Sequence, residues 1–451
     1  MKKIRIGSGA GYAGDRLEPA LELLEKGNLD YIAFECLAER TVAVAQAAKL
    51  KDPTKGYNDL LSYRMERVIP LAHEKRVKVI SNMGAANPQS AIQVCADIAR
   101  KHGITGLKIA AVIGDDVLDQ LADYQNANII EMGIPLGELG KEVVSANVYL
   151  GLEGLVQALA GGADIVITGR VADPALFLAP LVHEFGWDTS DWSLMGKGTA
   201  LGHLLECAGQ VTGGYFADPG KKDVPNLDKL GFPIAEVSAD GSFFITKVDG
   251  SGGIVTPATC TEQLLYEVHD PANYLTPDVT ADFSDISFEQ TAKDVVQVHG
   301  ATGTAKPQTL KVSVGYKDSF VGDGEISYGG HTCVERAKLA ADIVVKRLQH
   351  RGIDIQELKV DLIGINSLYW GAAATDTANN PAPPTEVRLR VSARTADRAS
   401  AAKIGEEVET LYTNGPAGGG GVTKTVREMV AVCSILLDRD SVTPSVIMLE
   451  V

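Results

Sequence analysis

Short apolar runs separated by helical patterns dominate the first half of the chain. Ile4-Arg5-Ile6, Tyr31–Phe34, Val77–Ile80, Leu107–Ile113, Ala146–Leu150 and Ala163–Ile167 read as strands. Leu17–Lys26, Leu60–Lys75, Ser90–His102, Val117–Asp123 and Leu152–Ala160 carry apolar residues at helical spacing and read as helices. Repeated β-α units of this length predict an α/β fold with a doubly wound, mostly parallel sheet covered by helices on both faces. A closed barrel would need further strands that the pattern does not supply.

From about Phe185 the pattern changes. Trp187–Thr199 reads as a loop and Leu201–Ala208 as a helix. Pro233–Val237, Ser242–Thr246 and Gly253–Val255 read as β-structure, with Asp240-Gly241 turning a hairpin. His269–Asp285, rich in Asp, Thr and Pro, reads as a connector. Beyond it, Leu310–Tyr316 and Glu386–Ser392 alternate like strands, while Cys333–His350, Ala399–Tyr412 and Thr423–Leu437 read as helices. The run Asn379–Pro384 reads as a turn. The expected organisation is an α/β domain over 1–284, with a β-rich insertion near 210–260, and a second, smaller α+β domain over 285–451.

Composition narrows the class. A net charge of −16 argues against a nucleic-acid binder, whose affinity rests on Lys and Arg. It leaves room for an anionic small substrate held by a local Arg. The six cysteines are scattered without metal-like spacing and read as free thiols in a reducing cytosol. Met1-Lys2-Lys3 leads straight into a strand, and no stretch is apolar enough to span a bilayer, so a cytoplasmic protein without membrane contact is expected.

Candidate chemistry gathers at strand-to-helix turns. Gly9-Ala10-Gly11-Tyr12-Ala13-Gly14 fits G-x-G-x-x-G after a strand and before a helix, the dinucleotide pattern, with Glu35 placed for a ribose hydroxyl. Asp15 and Glu18 put negative charge where a pyrophosphate would sit, and Pro19 starts the helix after the glycines. A ligand loop of another kind is the favoured reading, with Gly9, Gly11, Tyr12 and Arg16 facing substrate. Glu35 directly follows an apolar strand and is the acid/base candidate. Glu39 and Arg40 read as a solvated ion pair. Asn82 reads as a ligand contact and Asn87 as a helix cap. Asp115-Asp116 and Asp173 read as helix-start residues, whereas Arg170 is placed to fork onto a substrate carboxylate. His203 and Glu206 stand three apart on one helix face, a weak metal signal. His331, directly before a helix, is the best-placed histidine for a general base. Gly415–Lys424 is a second glycine-rich turn opening a helix and not a Walker loop, with Gly419 and Gly420 as substrate or partner contacts.

Gly7–Arg16, Phe34–Thr41, Thr168–Ala175, Gly196–Gly214 and Gly415–Thr423 together resemble the acyclic terpene utilisation (AtuA) family, and the likeness runs along nearly the whole chain. The resemblance implies a catabolic enzyme for small branched carboxylates or their CoA thioesters and carries over no catalytic residues. Some relatives have an additional small C-terminal domain, so the resemblance also implies a separate small subunit as partner. The lead expectation is a lyase that needs no cofactor or metal, a hydratase or dehydratase working as a homo-oligomer. Glu35 and His331 would be its acid/base pair, and Asn82 with backbone N–H groups would steady an enolate. A scaffold subunit of a two-component enzyme and a dinucleotide-dependent oxidoreductase are the alternatives.

Overall fold

The computed structural model describes residues 2–368 and 384–451, so the turn expected at Asn379–Pro384 lies, but for Pro384, outside the described residues. In chain order the first elements are β1 (Lys3–Ala10), α1 (Glu18–Lys26), β2 (Tyr31–Phe34), α2 (Glu39–Lys51), α3 (Leu61–Lys75), β3 (Lys78–Ser81), α4 (Pro88–Lys101) and β4 (Lys108–Ile113). Next come β5 (Val143–Val148), α5 (Glu153–Ala160), β6 (Ile165–Thr168), α6 (Ala175–Phe185), α7 (Trp192–Glu206), β7 (Pro233–Ser238), β8 (Phe243–Lys247) and α8 (Pro257–Leu265). The remainder is β9 (Tyr274–Leu275), β10 (Thr280–Asp282), β11 (Ser287–Ala292), β12 (Val295–His299), β13 (Thr302–Thr304), β14 (Thr309–Gly329), α9 (Cys333–His350), β15 (Glu357–Ile363), β16 (Glu386–Thr395), α10 (Arg398–Glu409), α11 (Leu411–Asn414), β17 (Gly419–Asp438) and β18 (Ser445–Glu450).

Two compact units result, one of residues 1–315 with 432–451 and one of 316–431. The larger holds a ten-stranded sheet in the order β11-β12-β8-β7-β1-β2-β3-β6-β4-β18. Its centre, β1-β2-β3-β6-β4, is parallel, as the alternating β-α pattern predicts. Every residue of β2 and β6 is buried, which is why these strands read as unbroken apolar runs. Ile32, Phe34, Val79, Ile109 and Ile165 face one way into a core shared with α1, α3 and α4. Tyr31 faces the other way, its hydroxyl donating to Glu184 of α6 at 2.6 Å. The sheet is therefore covered on both faces.

The edges depart from expectation. β7, β8, β12 and β11 extend the sheet antiparallel on one side and β18 on the other, so the sheet is mixed. The boundary read at 284/285 falls between β10 and β11, and β11 and β12 continue the larger unit's sheet. Ala146–Leu150, expected as one of the parallel strands, instead supplies β5, which pairs with β14 outside that sheet. Val117–Asp123 forms a short 3-10 turn rather than a helix. In the smaller unit the sheet order is β15-β16-β14-β17, backed by α9, whose Cys333, Ala337, Ala340, Val344 and Leu348 are buried at helical spacing. Thr423–Leu437, expected as a helix, lies within β17.

Candidate functional site

Parallel pairing brings the carboxyl ends of β1, β2, β3 and β6 to one edge, with Ala10 beside Phe34, Phe34 beside Ser81 and Ser81 beside Ile167. Ligands of such sheets collect beyond those ends. Glu35 is the first residue after β2, and its N–H donates to Ala10 O at 3.1 Å. The side chain turns inward and is 9% exposed. Its Oε1 accepts from the Leu37 N–H and from Asn82 Nδ2, both at 2.9 Å. Asn82 is fixed in turn because its Oδ1 accepts from the Cys36 N–H at 2.7 Å. Burial raises the Glu35 carboxyl to about 8; the charge of Asp173 adds to the rise, and Arg170, the Leu37 N–H and Asn82 oppose it.

Arg170, on the loop after β6, is fully buried. Its Nε donates to Val171 O at 2.8 Å, Nη1 to Leu37 O, and Nη2 to Val171 O and the Asp173 carboxylate. The guanidinium carbon lies 4.6 Å from the Tyr149 ring centre, and Lys311 Nζ lies 5.0 Å from the same ring. Arg170 thus ties the β6 loop to the Glu35 loop, and its donors face protein carbonyls and Asp173. Asp173 is not the expected helix cap, since no side chain caps α6. Asp115 is buried too, accepting from the Arg170 N–H and Asn147 Nδ2, each at 2.9 Å, and burial lifts its carboxyl to about 6. Glu39 pairs not with Arg40 but with the Tyr149 hydroxyl at 2.5 Å and Lys311 Nζ at 3.1 Å. Burial pushes Glu39 up, but the Tyr149 hydroxyl, its own N–H and Lys311 outweigh it and hold the carboxylate at about 2.

The first glycine stretch packs instead of cradling. A Cβ on Gly9 would lie 2.6 Å from the Phe34 ring, and one on Gly11 would lie 2.4 Å from the Cys207 carbonyl carbon. The loop's own Asp15 accepts from the N–H groups of Gly11 and Arg16 at 2.9 and 2.8 Å, filling the place an anionic ligand would take. The Arg16 guanidinium reaches Leu227 O at 3.2 Å, while Tyr12 is exposed. The buried Arg64 of α3 fastens this loop through Asp15 O at 2.8 Å.

The end of α7 completes the cluster. His203 Nδ1 meets Glu206 Oε1 at 2.8 Å, and its Nε2 meets Leu264 O at 3.1 Å. Burial raises Glu206 to about 7, with the His203 charge opposing. Gln263 Nε2 donates to His203 O at 2.9 Å.

His331 belongs to the smaller unit, where it is exposed and its carbonyl accepts from Arg336 at 3.0 Å. Gly419 and Gly420 open β17 rather than a helix, and Gly419 packs on Ile326 and Tyr328. A cavity of about 570 Å³ lies at the other end of the larger unit's strands, lined by Arg76, Lys78 and Asp164 among others. Lys78 Nζ there lies 3.7 Å from Asp164, so these two charges meet each other. Among the described residues no group of three or more His, Cys, Asp or Glu is placed to hold a metal ion, and no helix is long and apolar enough to cross a membrane.

Fold and site together define an α/β protein with a cluster of buried carboxyls, Glu35 and Asp115 among them, beyond the carboxyl edge of its sheet. The chain belongs to the acyclic terpene utilisation family AtuA, whose model matches residues 4–448. Membership points to a role in acyclic terpene catabolism. No curated protein and no solved structure matches the chain.

Proposed function

We propose that the protein is a lyase, a hydratase or dehydratase of a small branched, unsaturated acyl group presented as a carboxylate or its CoA thioester. The observation that carries this reading is Glu35. Its Oε1 holds two donors, which leaves Oε2 to carry a proton, and a carboxyl raised to about 8 keeps that proton at neutral pH. A protonated carboxyl on a rigid loop can deliver a proton to carbon or to a leaving hydroxyl, as reversible addition of water requires. Asn82 and Arg170 act as positioning residues, since Asn82 fixes the carboxyl and Arg170 fixes the loop that supplies the Leu37 N–H. The donors Arg170 commits to Leu37, Val171 and Asp173 favour the thioester over a free carboxylate at this end of the substrate.

Proton NMR of the purified protein incubated with branched enoyl and 3-hydroxyacyl thioesters tests the proposal. Interconversion should appear, should fall as pH rises through about 8, and should drop on the order of 10²–10⁴-fold in Glu35→Gln. Retained turnover in that variant removes Glu35 from the chemistry.

A further inference from the structure

The second glycine-rich turn, Gly415–Gly421, leads into β17, the last strand of the smaller unit's sheet in the order β15-β16-β14-β17. β14 pairs with one side of β17, and among the described residues no strand pairs with the other. Two points show which residues turn outward. The Val422 N–H donates not to β14 but to the Tyr412 hydroxyl at 3.1 Å. Further along the strand, the Ser434 N–H donates to the Glu131 carboxylate at 2.7 Å, and Ser434 O accepts from the Ile130 N–H at 2.9 Å. Both residues are even-numbered, so by the two-residue alternation of an antiparallel strand the backbone groups of Lys424, Val426 and Glu428 also face away from β14. A row of such edge groups is a template for another strand.

The side chains on this edge alternate as well. Val422 packs on the core beneath α9 and α10, and Lys424 reaches Glu409 of α10 at 2.5 Å. Thr425 and Arg427 turn to the opposite face, where both meet Asp323, at 3.1 and 2.8 Å. Lys424, Val426 and Glu428 therefore share the helix-covered face. Lys424 and Glu428 are exposed, and Glu428 has no ion-pair partner among the described residues. Proline, bulges and lysines keep sheet edges from joining their own copies. β17 contains no proline, and Lys424 is accompanied on the same face by an opposite charge, Glu428.

We propose that this edge pairs with the same edge of a second copy of the chain, antiparallel, about a two-fold axis through Val426. Val426 then faces its own copy, and each Lys424 lies opposite the partner's Glu428. The exposed Tyr412 rings flank the seam. An axis normal to the sheet keeps the helices of both copies on one face, so the two sheets continue into each other. The charges select the register. An axis through Lys424, Arg427 or Glu428 sets like charges against each other, and one through Thr425 leaves both edge charges without an opposite. The pairing is independent of the chemistry at Glu35.

Sedimentation velocity of the full chain across micromolar concentrations at low salt reads the association. Wild type should sediment as a dimer. Lys424→Glu sets Glu against Glu twice, and Glu428→Lys sets Lys against Lys twice. Each should raise the dimer dissociation constant at least about tenfold, with the circular dichroism spectrum unchanged. Glu428→Lys breaks no ion pair within the chain, so it tests the pairing alone. An equimolar mixture of the two variants should recover the wild-type association, because every opposed pair is then Lys with Glu. A monomeric wild type, a Glu428→Lys variant that associates as wild type does, or a mixture no tighter than its components overturns the proposal.

Discussion

Glu35 and Glu39 are the same residue type four positions apart, yet the structure drives their carboxyls to about 8 and about 2. Glu35 sits at the end of an apolar strand with two neutral donors and a second carboxylate nearby. Glu39 opens α2, where the Tyr149 hydroxyl and Lys311 meet it directly. Arg170 stands between the two environments, bonded to Leu37 on the connecting loop and stacked on the ring that holds Glu39. Proximity in sequence therefore says little about protonation, and the neighbour across the fold decides it.

The comparison can be broken at three strengths. The largest effect is expected from Arg170→Met, which leaves Leu37 O and Val171 O without charged donors and should cost about 3 kcal/mol or more in denaturant unfolding. A variant as stable as wild type would mean that Arg170 is free for ligand and not structural. The two glutamates should then respond to pH with opposite sign. A raised carboxyl makes the folded state lose stability as pH climbs from about 4.5 to about 8, so Glu35→Gln should match wild type at pH 4 and exceed it by a few kcal/mol at pH 9. A depressed carboxyl contributes stability above about 4.5 that vanishes as pH falls towards 2. Glu39→Gln should thus cost about 1 kcal/mol at pH 7, water screening an ion pair that is two-fifths exposed, and nothing at pH 2. Melting curves that shift in parallel for both variants would erase the distinction. Smallest is His331→Ala, expected to change turnover by less than about twofold, since the ring is exposed and belongs to the smaller unit. A loss on the scale of Glu35→Gln would return the second unit to the chemistry.

Much of the frame was legible because a parallel core buries both faces of its strands, and runs such as Tyr31–Phe34 and Ile165–Thr168 announce this directly. Asn87 was equally readable, and its side chain does accept from the Ser90 N–H at 3.2 Å. β17 misled because Val426, Val430, Cys433 and Leu437 fall at helical spacing, while its many Val and Thr residues favour a strand. β5 looked like its neighbours because its partner, β14, lies far along the chain. Glu35 and Asn82 both stand just after strands in the sequence, and the fold brings them into hydrogen bond at 2.9 Å. Nothing in the sequence singles out Tyr149, and Asp-Pro reads as a cap; the place of Asp173 three residues after Arg170 is the available signal of an ion pair. The glycine pattern of Gly9–Gly14 matched a nucleotide turn, but only the contacts with Phe34 and Cys207 show what the missing side chains make room for.

The seating of β18 beside β4 has a consequence for how the chain is made. Ser445–Glu450 completes the edge of a sheet whose other members are all synthesised by His299, and Val451 N–H donates to Leu107 O at 3.1 Å. During synthesis, with the chain emerging amino end first, β4 is an open sheet edge for the time it takes to add more than a hundred further residues, those of the smaller unit among them. Closure of the larger unit is thus a late, long-range event, of the slow kind that exposes nascent chains to mispairing.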